Sequence, residues 1–322
     1  VVRVYLIFGL FLSLSVGCSS GTSSIERVSP TDSTQVVSGA IAMTRIPSIA
    51  ISEVDITPTF VNPSIVANET TQEVSETPMP VTQSLTIIIV YDNNAYDQRL
   101  KTAWGFSALV EYHDHTLLFD TGGDGAILIE NMRILGIDPT QIESVVLSHA
   151  HGDHTGGLND LLEAGARPTV YLLPSFSLSF KDQIERVTQV VVVSSGQSIA
   201  EGLLTTGEMG RNILEQALVI RTEPGLVVIT GCAHPGVIAI LEQALEMYDE
   251  PIRLVLGGFH LGSKSKAEIV SVLEDFRRIG VEHVAPCHCT GAQAISMFAA
   301  EYGEDFIQAG VGRVVRLDIA DR

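Results

Sequence analysis

Residues 144–158 read SVVLSHAHGDHTGGL, and the six from His149 to His154 carry three imidazoles and one carboxylate. The run enters through the β-branched pair Val145 and Val146 and leaves through Gly156 and Gly157. In an extended segment alternate side chains share a face, so His149 and His151 can point the same way into one metal site. Gly152 turns the chain, and Asp153 and His154 can then face a second cation beside the first. Imidazole together with carboxylate suits zinc, iron or manganese. Nine histidines in 322 residues rarely cluster this way by chance. The stretch therefore reads as a metal site rather than as solvated loop histidines.

Working outward, other chemistry-bearing residues close apolar runs: Asp120 in LLFDTGG, His234 in GCAHPG, His260 in GGFH and His288 in PCHCTG. Strands alternating with helical patterns put such positions at strand ends facing one cleft. Asp120, beside Gly122 and Gly123, can accept a hydrogen bond from a ligand histidine and fix its orientation, or can cap a helix or turn. His113-Asp114-His115 falls between two strand-like runs and reads as a hairpin turn. His283 lies within a strand and reads as ordinary.

The set WGFSALVEY, LLFDTGG, SHAHGDHTGGL, GCAHPG, GGFHL and HCTG resembles the metallo-β-lactamase-fold metallohydrolase superfamily, whose signature is HxHxDH. Within it, the chain is most similar to the 7,8-dihydropterin-6-methyl-4-(β-D-ribofuranosyl)-aminobenzene-5'-phosphate synthase-like branch, over residues 84–317. The resemblance implies an α/β fold, the αββα sandwich, with two divalent metal ions: zinc first, iron or manganese as alternatives. His149, His151 and His234 would hold the first metal, and Asp153, His154 and His288 the second. Asp120 would support a ligand histidine from behind. Asp153 would also steer a water between the cations, and His260 would protonate the leaving group or stand as a structural residue at the cleft edge.

One departure stays open. The hairpin ALVIRTEPGLVVITGCAH can also be aligned so that Glu215-Gln216 takes the third histidine's place and Cys232 to His234 that of a bridging Asp. No clear bridging Asp is present, and Cys232 is a candidate soft ligand. Cys287 and Cys289, two apart, are expected to share a face opposite His288.

The implied chemistry is a hydrolase whose dinuclear-site hydroxide attacks a small ester, lactone, amide or phosphoester. The alternatives are the branch's transferase activity and a surface binding module with a relic metal site. No Gly-x-Ser-x-Gly or P-loop pattern competes. A formal charge of −19 argues against nucleic acid as a partner.

Residues 1–18, VVRVYLIFGLFLSLSVGC, read as a lipoprotein-type signal peptide ending in a lipobox, with Cys18 lipidated and the protein exported to the cell surface or periplasm. A cleaved signal and a plain anchor are the alternatives. Residues 19–83 are rich in Ser, Thr and Pro and read as a disordered tether; residues 84–322 form the catalytic domain. Four cysteines, one of them Cys18, make no disulfide framework. Within the domain, a helix is expected from Thr155 to Ala164, and glycine-rich residues 194–212 are expected to overhang the metals.

Overall fold

The computed structural model describes residues 83–319. The leader with Cys18, and the tether up to residue 82, lie outside the described residues. Among the described residues, no helix is long and apolar enough to cross a membrane.

The chain opens with a meander of β1 (Gln83–Tyr91), β2 (Ser107–Tyr112) and β3 (His115–Phe119). His113 turns β2 into β3 with φ of 52°, the left-handed conformation that a two-residue hairpin demands. Helix α1 (Gly125–Leu135) starts at Asp124, whose side chain accepts from the Ile127 N–H, and stops at Gly136 with φ of 74°. Then follow β4 (Ser144–Val146), α2 (Gly152–Thr155), α3 (Leu158–Glu163), β5 (Thr169–Leu172), α4 (Leu178–Glu185) and β6 (Val190–Val192). The expected single helix from Thr155 is thus two. It begins earlier, at Gly152, and breaks at Gly156-Gly157, where the chain runs so close to the Gly123 and Thr121 carbonyls that a Cβ would stand 2.4 and 2.2 Å from them.

The second half supplies β7 (Gln197–Ala200), β8 (Leu203–Thr205), β9 (Leu218–Thr222), β10 (Gly225–Thr230), α5 (Val237–Met247) and β11 (Ile252–Gly258). It ends with α6 (Lys266–Ile279), β12 (His283–Cys287), α7 (Ala292–Tyr302) and β13 (Val314–Ile319). Helix α6 carries a complete capping box between Ser265 and Glu268 and buries Ile269, Leu273 and Phe276. Residues 194–212 depart from expectation in part. Their first half is the β7–β8 hairpin, because Ile199, Ala200 and Leu203 pack into the inter-sheet core.

Two sheets result, ordered β13-β1-β2-β3-β4-β5-β6 and β12-β11-β10-β9-β8-β7. Their facing sides interleave Leu85, Ile87, Phe106 and Phe119 with Leu218, Ile229 and Leu256. On the far side of the first sheet, residues of α1, α3 and α4 such as Leu128, Leu161 and Ile184 form a second core. On the far side of the other, Leu241, Phe276 and Phe298 of α5, α6 and α7 form a third. The arrangement is helix, sheet, sheet, helix, an αββα sandwich. At about 1.5–3 kcal/mol per fully buried large apolar side chain, these cores are the main favourable term in folding.

Candidate metal centre

Strand β1 runs parallel to β3 because two antiparallel steps separate them, and β3 is parallel to β4. Strands β10, β11 and β12 are likewise mutually parallel. Their C-terminal ends deliver Asp92, Asp120, Ser148-His149, Cys232 to His234, His260 and His288 in turn. Ligand sites in α/β proteins collect at such edges because the chain is released there from sheet geometry. Four residues at these ends, Asp120, Ala233, His260 and His288, take positive φ without being glycine. That is strain of the kind stored at functional sites.

The structure brings all the candidate residues together. His149 Nε2 lies 3.1 Å from His151 Nδ1. The His149 and His234 rings are 4.8 Å apart between centroids, and His151 and His234 are 5.0 Å apart. Asp153 Oδ2 lies 3.6 Å from His154 Nε2 and 3.5 Å from His288 Nε2. Asp120 Oδ2 stands 2.6 Å from His154 Nδ1 and accepts from the Ser148 hydroxyl at 2.7 Å. His260 packs at a tilt beside His234 with ring centroids 4.4 Å apart.

Three residues support the site in roles that the sequence did not assign to them. Glu215 is fully buried, and its carboxylate accepts from the N–H groups of Cys232, Ala233 and His234 at 2.8–2.9 Å. It shapes the loop that carries His234, so the alignment that would make it a ligand is set aside. Asp92 is buried and accepts from the His288 N–H at 3.2 Å. Asn93 Oδ1 meets His288 Nδ1 at 2.9 Å, which leaves Nε2 facing the site.

The cysteines correct one expectation. At His288 the backbone turns with φ of 47° into a 3-10 turn, His288–Thr290, so strand alternation ends there. Cys287 is buried against Asp92, whereas the Cys289 thiol donates to the Cys232 carbonyl at 3.5 Å and meets the His260 side chain. The two do not share a face. All three described cysteines are free thiols.

Electrostatics favour unprotonated ligands on one side. Burial, then the charge of neighbouring imidazoles, pushes His149 far below the ordinary imidazole range and His234 down to about 4. At His154 burial disfavours charge, but the Asp120 carboxylate outweighs it and raises the imidazole. At Asp153 burial is likewise outweighed, by His288 and His154, and the carboxyl falls below its usual range. His260 is raised, chiefly by its hydrogen bond with Cys289.

A metal fits these residues. His234 Nε2 and His288 Nε2 are buried with no hydrogen-bond partner. An unpaired buried nitrogen costs about 1–3 kcal/mol, which coordination would recover. The donor atoms of Asp153, His154, Cys232 and His288 lie within 4.8 Å of one another, and so do those of His149, Cys232 and His234. Beside them opens a cavity of about 560 Å³, walled by Met209, Arg211, Ile213, Pro235, His234 and His260. The second half of residues 194–212 therefore does reach the site.

Comparison with known proteins agrees. Tm1679, a metal-dependent hydrolase of the beta-lactamase superfamily known from its crystal structure, is 30% identical with a TM-score of 0.62, over 74% of this chain and 100% of that one. The chain belongs to the metallo-β-lactamase superfamily. The superfamily's own pattern matches residues 105–211, which contain the HxHxDH stretch. The 7,8-dihydropterin-6-methyl-4-(beta-D-ribofuranosyl)-aminobenzene-5'-phosphate synthase of Methanocaldococcus jannaschii is 28% identical over 70% of this chain and 94% of that protein. The metallo-β-lactamase fold protein YhfI of Bacillus subtilis shares the fold, with a TM-score of 0.55 at 14% identity over 73% of this chain and 99% of that one.

Proposed function

We propose that this member of the metallo-β-lactamase superfamily is a metal-dependent hydrolase of a small ester, lactone, amide or phosphoester. The observation that carries the reading is the convergence of His149, His151, His234, Asp153, His154 and His288, with the buried Nε2 atoms of His234 and His288 lacking a hydrogen-bond partner. A pair of cations held there, zinc on the preference of the donor set, would make water a nucleophile at neutral pH and polarise the bond under attack.

The rest falls to the chain. Asp153, ionised between two imidazoles, can accept a hydrogen bond from water and orient it. His260 stands on the cavity wall with its imidazole raised, placed to donate a proton to a leaving group. Arg211, on the same wall, suits a substrate that carries an anionic group. On this reading the enzyme works outside the cytoplasm, tethered through a lipidated Cys18, a placement that rests on the sequence of residues 1–18.

Elemental analysis of the purified protein, paired with a panel of chromogenic esters, lactones and phosphodiesters, tests the hydrolase. His151→Ala is expected to remove metal and activity together while leaving the far-ultraviolet circular dichroism unchanged. Turnover surviving in that variant would overturn the mechanism. The similarity to the Methanocaldococcus synthase favours a second reading, transfer rather than hydrolysis. Supplying a dihydropterin with an aminobenzene ribofuranosyl phosphate and finding the coupled product would decide for it.

A further inference from the structure

Resting on the hydrolase reading above, we infer that Trp104 is a stacking platform for an aromatic ring on the acyl or phosphoryl half of the substrate. Trp104 is the chain's single tryptophan, and it is 60% exposed. A lone exposed aromatic is ordinary on a loose loop; this one stands on a backbone that is held on both sides. Buried Asn131 of α1 accepts from the Lys101 N–H and donates to the Lys101 carbonyl, each at 2.9 Å. The Ala103 N–H donates to the Asp92 carbonyl at 3.3 Å, and the Phe106 N–H to the Asp153 carbonyl. Gly123 passes so near the Trp104 carbonyl that a Cβ there would stand 2.9 Å from it. The chain is thus fixed, and the ring is left to solvent beside the metal residues.

Its position says which part of a substrate it meets. Ring contacts run Trp104–His288, His288–His154, His154–His149, His149–His234 and His234–His260, at centroid distances of 4.3–4.9 Å. Trp104 begins this row and His260 ends it. The cavity with Arg211 opens at the His234–His260 end, and Trp104 is not one of its walls. A leaving group protonated by His260 departs on that side, so the half that keeps the carbonyl or phosphorus lies toward His288 and Trp104. An indole face suits an aromatic ring, offset or edge-on, beyond what apolar area alone gives. A cationic group is disfavoured, because the indole leans on a residue that would hold a dication.

Carboxylate products test this without turnover. On the zinc-loaded full chain, calorimetry is expected to find benzoate bound about 3- to 10-fold tighter than cyclohexanecarboxylate, a ring of like size without the π-face. With one tryptophan in the chain, 4-nitrobenzoate, which quenches indole emission on contact, reports Trp104 alone, and its quench should saturate with its calorimetric affinity. Trp104→Phe is expected to keep most of the preference and Trp104→Leu to bind the two acids alike, with zinc content and circular dichroism measured on each. In turnover, Trp104→Leu should raise KM for 4-nitrophenyl benzoate relative to 4-nitrophenyl cyclohexanecarboxylate by the same factor. Equal affinity of the wild type for the two acids, binding of neither, a preference that survives Trp104→Leu, or tighter binding of glycine betaine than of benzoate overturns the platform. Turnover of esters in any of those cases leaves the hydrolase reading intact. The benzoate preference with its quench, in a protein that hydrolyses none of the panel, supports the aromatic face and overturns the hydrolase.

Discussion

Asp120 commits both carboxylate oxygens inside the protein: Oδ1 accepts from the Ser148 N–H at 2.7 Å, and Oδ2 serves the Ser148 hydroxyl and His154. An amide there would present an N–H to a neighbour that also donates. Asp120→Asn is expected to cost about 1–3 kcal/mol in chemical denaturation and to weaken metal binding about 10- to 100-fold. The pH dependence has a definite sign. His154 is raised in the metal-free fold, so its contribution is complete below the ordinary imidazole value of about 6.5 and is lost as pH rises through the folded one. The stability gap between wild type and variant, measured without metal, should therefore be wider at pH 6 than at pH 9. Nuclear magnetic resonance titration should find His154 above the ordinary range in the wild type and lower in the variant. Glu215 invites a parallel experiment. Glu215→Leu keeps the volume but orphans three buried N–H groups, and a loss upward of about 3 kcal/mol is expected on denaturation.

At the scale of elements, the segment from Trp104 to Phe106 locks the cluster loop in place. The Phe106 N–H donates to the Asp153 carbonyl at 3.2 Å, and the Trp104 ring packs at a tilt against that of His288, centroids 4.9 Å apart. Gly105 between them has φ of 141°, and a Cβ there would stand 2.4 Å from the Asp153 carbonyl oxygen. Because the clash is with backbone, the loop must shift. Gly105→Ala is expected to reduce metal content and turnover far more than it lowers the melting temperature, as paired metal analysis and thermal denaturation would show. These elements also mark what was legible beforehand. The strands showed as apolar runs, and the histidine cluster showed because its members are neighbours in sequence. Helix α4 did not, since it is largely polar and buries only Ile184. Asp92 looks like an ordinary acid in the chain, and Glu215 stands out only as a ligand in the alternative alignment. Their work depends on contacts 196 and 17 to 19 residues away that no local pattern records.

At the scale of the whole molecule, two sheets closed by helices on both outer faces fix the strand ends rigidly, and the polar cluster sits on their shared rim. Phe259, one residue before His260, packs against Phe276 of α6 and Phe298 of α7 with centroids 5.5 and 5.4 Å away, so the outer helices hold that corner of the site. Charge acts over longer range. The chain carries −19, and its field draws cations toward the cluster while repelling anionic substrates. Arg211 on the cavity wall opposes that repulsion locally. Added salt screens the distant field, with a Debye length of about 10 Å at 0.1 M, but weakens a contact at the cavity wall less. For an anionic ester, kcat/KM is therefore expected to rise as salt increases from low ionic strength, while a neutral ester of the same leaving group stays flat. Arg211→Ala should raise KM for the anionic ester and leave kcat for the neutral one within twofold, by the ordinary rule that losing uniform binding moves KM alone. Equal effects of Arg211→Ala on both esters would show that this side chain shapes the cavity and does not read substrate charge.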